Sequence, residues 1–258
     1  MIGSGIYPHW PKVPSIENEH LVANARVFAN RKSLIASLPV PRGGKVAEIG
    51  VWQGIFSTFL IEQLHPRRFV AFDIFAGHDL PDWNGHTGKE LFEGLTHRQF
   101  YEQQMAPLGD ITVVEGPSQT TLRDYTDHSF DLVYVDGGHD YDVVKSDADF
   151  AVEMVSKTGF LVFNDYIMLD PGKGDIYGVV PVVNDLVVHG DWLVVGYALN
   201  EYLFCDIALC RSDHPLARLV APRLSPGAVY QTVRLLYRAA RHPRRALRRL
   251  IRLASEHS

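Results

Sequence analysis

The sequence predicts an α/β protein built on one mostly parallel β-sheet with helices on both faces. Short apolar segments alternate with amphipathic segments through residues 45–163, which is typical of strands joined by crossover helices. Two later apolar segments, residues 192–198 and 202–211, flank a short turn and predict an antiparallel hairpin at the sheet edge. The 258 residues are enough for one large domain with appendages.

The predicted elements follow in order from the amino end. Residues 16–38 carry an apolar face with Leu21, Val22 and Phe28, which predicts a helix that stops before Pro39. Apolar segments predict strands at 45–49, 68–73, 111–115, 130–135 and 159–163. Helical periodicity favours helices at about 53–64, 89–105, 118–124, 141–155 and 177–188. With the hairpin, the sheet has seven predicted strands.

Three parts are predicted along the chain: an amino-terminal extension and helix at 1–44, an α/β domain at 45–212, and a basic helical tail at 213–258. The tail is interrupted by Pro243, and its arginines surround leucines and an isoleucine. Such a segment is typical of a solvated or dimer-forming face. The alternative is contact with an anionic membrane surface or an acidic partner.

Composition and charge exclude several classes of protein. A formal net charge of −5 argues against a nucleic-acid binder. No apolar segment reaches the roughly 18 residues of a membrane span, and the first residues lack the pattern of a signal peptide. We therefore expect a cytoplasmic protein with at most peripheral membrane contact through the tail, and the dimer-forming alternative for the tail predicts a homodimer.

Oxygen ligands follow two predicted strands. Asp136 and His139 come directly after strand 130–135, and Asn164 and Asp165 follow strand 159–163. The carboxyl ends of parallel strands meet at one edge of an α/β sheet, so these side chains are expected to converge. Two carboxylates and an amide oxygen suit Mg²⁺, and His139 is the candidate general base. The alternative is two ordinary turns with no site, since Asp, Asn and Gly favour turns.

A glycine-containing turn follows the first predicted strand of the sheet. Glu48, Gly50 and Gly54 surround it, and such glycines let the backbone approach a ligand closely. The dinucleotide pattern G-x-G-x-x-G is absent, which disfavours a nicotinamide cofactor. Asp73 ends the next strand, where an acid can accept hydrogen bonds from both hydroxyls of a ribose. The turn is therefore a candidate site for an adenosine-containing cofactor.

The segments EIGVWQG, FDIFAG, EGPSQTTL, FDLVYVDGGHDY and GFLVFNDY occur in this order between residues 45 and 211. Together they resemble class I S-adenosylmethionine-dependent O-methyltransferases with a Rossmann-like fold, in particular the macrocin O-methyltransferase-like group that acts on sugar hydroxyls. The resemblance implies that Glu48, Gly50 and Gly54 line the methionine part of S-adenosylmethionine and that Asp73 holds its ribose. It also implies that Asp136 borders the cofactor and that the substrate is a small molecule or an oligosaccharide.

The resemblance also implies roles for residues farther along the chain. Ser118 and Gln119 would lie near the adenine, and His139 would act as the base beside Asp136. Mg²⁺ would be held by Asp136, Asn164 and Asp165. The position of Asn164 is often acidic in relatives, so this site has one negative charge fewer.

Candidate substrate residues are aromatic and polar. Tyr7 and Trp10 in the extension, Trp83 in the long segment 74–88, His139 and Tyr166 have the character that sugar rings favour, and both loop segments can close as lids. The alternative is that the tryptophans only anchor loops on the core. Two other functions stay open: an O-methyltransferase for a phenolic or catechol-like molecule, and a non-catalytic adenosyl-binding scaffold.

Overall fold

The computed structural model describes residues 13–170, 172, 174–200 and 204–218. Within them the strands form one eight-stranded sheet in the order β1-β7-β8-β6-β5-β2-β3-β4. The strands are β1 (Leu21–Phe28), β2 (Lys45–Ile49), β3 (Arg68–Asp73), β4 (Ile111–Glu115), β5 (Phe130–Val135), β6 (Val155–Phe163), β7 (Trp192–Ala198) and β8 (Asp206–Arg211). Strand β8 is antiparallel to β6 and β7, and the other neighbouring pairs are parallel.

Helices cover both faces of this sheet. They are α1 (Arg31–Ser37), α2 (Ile55–Leu64), α3 (Gly88–Leu91), α4 (His97–Met105), α5 (Ser118–Thr121), α6 (Tyr141–Met154) and α7 (Val179–His189). Successive strand residues point to opposite faces, so Val133 and Val135 pack with residues of α6 and α7. Leu132 and Tyr134 pack with residues of α1 and α2. The predicted α/β fold is confirmed, with two buried layers and an antiparallel hairpin.

The predicted amino-terminal helix is wrong in its first half. Residues 21–28 form strand β1, which pairs in parallel with β7 at the sheet edge. Only Arg31–Ser37 is α-helical, and Asn18–His20 forms a single 3₁₀ turn. A half-exposed edge strand lacks a strict apolar alternation: Val22 is buried and Val27 is 69% exposed. Pairing with β7, distant in sequence, therefore decides the structure of a segment whose local pattern favours a helix. It also adds the eighth strand to the seven predicted.

Other boundaries differ for local reasons. The predicted helix 89–105 is two helices, because Glu93 and Gly94 adopt positive φ angles of 54° and 79° between them. Helix 118–124 ends early, and a 3₁₀ turn continues it over Leu122–Tyr125. Strand β6 begins at Val155 rather than at 159, and β8 begins at Asp206.

Some predictions fall outside the described residues. These include Tyr7 and Trp10, and nearly all of the basic tail at 213–258. In the part of the chain that the structure describes, every helix is too short or too polar to cross a bilayer.

Candidate active site

A cavity of about 690 Å³ opens beyond the carboxyl ends of the parallel strands. Residues 48–53 after and within β2, 116–119 after β4, and 136–139 after β5 line it, together with Arg31, Asp73 and Asp165. This is the edge at which parallel α/β sheets bind ligands. Most of the predicted site residues therefore share one cavity.

The turn after β2 requires glycine. Gly50 has a φ of 84°, and a Cβ atom there would lie 2.0 Å from the carbonyl oxygen of Asp136. The turn after β2 is therefore in direct contact with the loop after β5. Gly54 has a φ of 79° and precedes α2, where it packs against the side chains of Tyr101 and Met105. Gly54 does not line the cavity.

Asp73 ends β3 and holds the turn after β2 in place. Its Oδ2 accepts hydrogen bonds from the backbone N–H of Val51 at 2.8 Å and Trp52 at 3.2 Å, and its Oδ1 accepts one from Phe75 at 2.8 Å. The carboxylate also borders the cavity. It is therefore a fixed acceptor at the position predicted for a ribose site.

Glu48 is almost fully buried on β2, with 1% of its surface exposed. Burial raises the pKa of its carboxyl group to about 8, against the opposing effect of the Ser57 hydroxyl, which donates a hydrogen bond to Oε2 at 2.5 Å. Glu48 is thus protonated at neutral pH. It places a neutral carboxyl group at the wall of the cavity.

Asp136, His139 and Asp165 converge from the ends of β5 and β6. Their potential ligand atoms lie within 4.8 Å of one another. Nε2 of His139 lies 3.1 Å from Oδ2 of Asp165, but this nitrogen is buried without a partner at hydrogen-bonding geometry among the described residues. The contact is therefore electrostatic when the imidazole is protonated. The ring of Tyr177 stacks on His139 at 4.3 Å, which fixes the plane of the imidazole.

The surroundings of Asp136 act on the charge of its carboxyl group in opposite directions. Burial raises the pKa of its carboxyl group well above the ordinary value, and the charge of Asp165 raises it further. The guanidinium of Arg31 opposes these effects, with Nη1 3.7 Å from Oδ2 of Asp136. Two carboxylates in so confined a space suit a bound cation.

Asn164 and Tyr166, predicted as a metal ligand and a substrate residue, do not line the cavity. Nδ2 of Asn164 donates a hydrogen bond to Oδ1 of buried Asp206 at 3.1 Å, and the Tyr134 hydroxyl donates to Oδ2 at 2.6 Å. The hydroxyl of Tyr166 donates to Oδ1 of Asn184 at 2.5 Å. The amide nitrogen of Asn164 is thus committed to Asp206, which leaves its Oδ1 as the atom that can face a metal.

Ser118 and Gln119, which the family resemblance places near the adenine, also line the cavity, together with one acid that the sequence did not predict. Asp147 on α6 is 2% exposed, and burial raises the pKa of its carboxyl group to about 6, with the hydroxyl of Ser118 acting in the opposite direction. Arg31 on α1 was also missed. Neither residue belongs to a motif, so only the fold brings them to the cavity.

The mouth of the cavity is aromatic and apolar. Trp52 and Trp83 lie with ring centroids 5.2 Å apart, and Trp83 is 39% exposed. Ile55 and Ile74 also line the cavity and are 72% and 62% exposed. A ligand in the cavity can therefore contact flat and apolar side chains as well as the carboxyl groups.

Comparison with known proteins shows what this domain is similar to. The family model described as a methyltransferase domain matches residues 47–166. A putative O-methyltransferase from Klebsiella pneumoniae shares 14% identity with a TM-score of 0.53, and the match covers 71% of this chain and 80% of that one. A cofactor-bound protein from MTB shares 17% identity with a TM-score of 0.51 over 71% and 78% of the two chains. At these identities, the likeness to the two solved structures shows a shared fold. No curated protein matches the sequence.

Proposed function

We propose that this S-adenosylmethionine-dependent methyltransferase transfers its methyl group to a hydroxyl of a sugar, or of an oligosaccharide or polysaccharide precursor. The observation that carries the proposal is the convergence of His139, Asp136 and Asp165 in the cavity of a methyltransferase domain. Methylation of a hydroxyl oxygen releases a proton, and these groups are suited to receive it and to stabilise the resulting charge.

His139 is the proposed base. Its Nε2 is buried near Asp165, so Nδ1 is the nitrogen that we assign to the acceptor hydroxyl. As His139 takes the proton, Asp165 stabilises the imidazolium from the other side, and Tyr177 keeps the ring in plane. When bound, S-adenosylmethionine would supply the methyl group from its sulfonium: the acceptor oxygen would form the new bond to carbon, the carbon–sulfur bond would break, and S-adenosylhomocysteine would be the other product.

The cofactor and metal assignments follow the same geometry. We assign Glu48 and Gly50 to the methionine part, Asp73 to the ribose, and Ser118 and Gln119 to the adenine. Gly54 contributes by shaping the turn.

Asp136 and Asp165, with Oδ1 of Asn164, are the proposed Mg²⁺ ligands. The crowded pair of carboxylates fits a divalent cation. When bound, the ion would lower the pKa of the acceptor hydroxyl and orient it.

Trp83 and Trp52 support the choice of a sugar acceptor, because a sugar ring presents an apolar face that stacks on an indole ring. The exposed apolar side chains of Ile55 and Ile74 favour a second candidate, a phenolic or catechol-like acceptor with a flat apolar body. A panel of sugars and phenols offered with labelled cofactor separates the two. Methylation of phenols alone would overturn the sugar assignment.

The base is tested by comparing His139→Ala with His189→Ala, an exposed histidine at the end of α7. His139→Ala should lower turnover by about 10²- to 10⁴-fold and leave the affinity for S-adenosylhomocysteine within twofold, whereas His189→Ala should match the wild type. Wild-type turnover by His139→Ala would refute the base assignment.

The metal is tested by chelation. A chelator should remove activity, and added Mg²⁺ should restore it. Full activity in excess chelator would leave Asp136 and Asp165 as acids that act without a metal.

A further inference from the structure

Arg31 is held rigidly at the edge of the cavity. It is the first residue of α1, and its guanidinium carbon lies 4.2 Å from the centroid of the Phe56 ring on α2. Its Nη1 donates a hydrogen bond to the hydroxyl of Tyr134 on β5 at 3.3 Å. A ring stack and a hydrogen bond together fix the plane of the guanidinium.

Most of the hydrogen-bonding capacity of Arg31 is unused. A guanidinium has five N–H donors, and among the described residues Arg31 makes one hydrogen bond, the one to Tyr134. Asp136 lies 3.7 Å away, which is beyond hydrogen-bond distance. The side chain is 28% exposed and lines the cavity. A ligand can therefore reach the free donors.

The charge of the cavity makes this position distinctive. Its walls carry carboxyl groups from Glu48, Asp73, Asp136, Asp147 and Asp165. Arg31 is the one lysine or arginine among the described residues that line it. A negatively charged group on a ligand therefore finds its one cationic side-chain partner in the described lining at Arg31. The amino end of α2, beside Phe56, adds its partial positive charge there.

We propose that Arg31 binds the α-carboxylate of the methionine part of S-adenosylmethionine. The inference rests on the cofactor orientation given under the proposed function, in which Glu48 and Gly50 line the methionine end. The planar fork of a guanidinium matches the two oxygens of a carboxylate, and the stack on Phe56 holds that fork before the cofactor arrives. Arg31 thereby selects cofactors that carry the carboxylate.

Three adenosyl ligands test this assignment by calorimetry. S-adenosylhomocysteine carries the α-carboxylate and the α-ammonium. Its decarboxylated analogue keeps the ammonium alone, and 5′-methylthioadenosine carries neither group. Arg31→Gln should weaken binding of S-adenosylhomocysteine by about 10- to 100-fold, because a charge-assisted pair is lost. It should leave the affinity for the two other ligands within about twofold of the wild type.

Two further variants sharpen the test. Lys32→Gln removes the next cation on the same helix, which lies over Phe59 and does not line the cavity, and should leave all three affinities unchanged. Arg31→Lys keeps the charge but loses the fork, so its affinity for S-adenosylhomocysteine should fall between those of the wild type and Arg31→Gln.

An equal loss of affinity for all three ligands in Arg31→Gln would overturn the inference, because Arg31 would then support the cavity structurally. Unchanged affinity for S-adenosylhomocysteine would overturn it as well. A failure of the wild type to bind any of the three ligands would instead refute the proposed cofactor site, and the assignment of Arg31 would fall with it.

Discussion

At the residue scale, Glu48 couples the stability of the fold to pH. Burial raises the pKa of this carboxyl group from an ordinary 4.5 to about 8. Between these values the folded protein holds a proton that the unfolded chain releases, so the free energy of unfolding decreases as the pH rises. The loss of unfolding free energy caused by ionising Glu48 is absent below about pH 4.5 and reaches its full size above about pH 8.

Glu48→Gln should remove this pH dependence, because glutamine keeps the acceptor for the Ser57 hydroxyl and does not ionise. Urea unfolding at pH 5.5, 7 and 8.5 measures it: the variant should gain stability relative to the wild type as the pH rises. Glu62→Gln, on the exposed side of α2, is the control. Parallel profiles for the wild type and Glu48→Gln would contradict the prediction.

Gly50 allows a second residue-scale prediction. Gly50→Ala combines a positive φ with a Cβ atom 2.0 Å from the Asp136 carbonyl oxygen, so the turn after β2 has to move. We expect a loss of at least about 2 kcal/mol in unfolding free energy and weaker binding of S-adenosylhomocysteine.

Gly94→Ala is the matched control for Gly50→Ala. Its φ of 79° is similar, but no atom lies within 4 Å of an added Cβ. It should cost only the backbone strain, about 1 kcal/mol. Equal losses in the two variants would show that the contact with Asp136 has no effect.

The sequence identifies a site residue only where a reactive residue type also occupies an informative position, such as the end of a predicted strand. Asp136 and Asp165 are acids at strand ends, and such a position is visible without a structure. Arg31 and Asp147 sit in the middle of ordinary helical patterns, and their neighbours in the cavity come from other parts of the chain. Asp206 carries a signal that the prediction did not use. It is an acid within an apolar strand, and a buried acid normally has polar partners, so a buried polar cluster could be expected there.

At the element scale, strands with both faces buried are the most predictable. The bounds of β2, β3 and β5 match the prediction, because residues buried on both faces give continuous apolar segments. The bounds of β4 and β7 match as well, although β4 has no fully buried residue and β7 alternates buried with half-buried residues. Strand β1 fails this criterion because it lies at the edge, and its conformation depends on the register with β7. The predicted helix ends are wrong where a glycine or a capping residue sets the boundary, as at Gly94 between α3 and α4.

Thr96 gives the element-scale prediction. Its Oγ1 accepts a hydrogen bond from the backbone N–H of Gln99 at 3.2 Å and caps α4, while the Gln99 side chain accepts from the Thr96 N–H at 3.1 Å. Thr96→Ala should lower the free energy of unfolding by about 1 kcal/mol, and Thr96→Ser should retain most of it. Urea unfolding of both variants measures the difference, and an alanine variant as stable as the serine variant would contradict the role of the cap.

At the scale of the whole molecule, the cavity joins the ends of several strands, so the cofactor should stabilise the fold as a unit. S-adenosylhomocysteine at 100 times its dissociation constant should add about 2.7 kcal/mol to the free energy of unfolding. The melting temperature should rise by about 5 °C or more in a thermal unfolding experiment. ATP at the same concentration is the control, and an equal rise with ATP would argue against a site built for the adenosyl cofactor.

Strand β1 has a kinetic consequence. Leu21 pairs with Val194, and Leu34 on α1 packs close to Gly196. The strand that comes first in the sequence therefore pairs with β7, which is next to last in the sequence. Such pairing is slow, because a long loop must close before the contact forms. Arg31 begins α1 directly after β1, so the sheet edge beside it is complete only once β7 is present. We therefore expect the nascent protein to bind the proposed cofactor only after β7 and β8 have been synthesised.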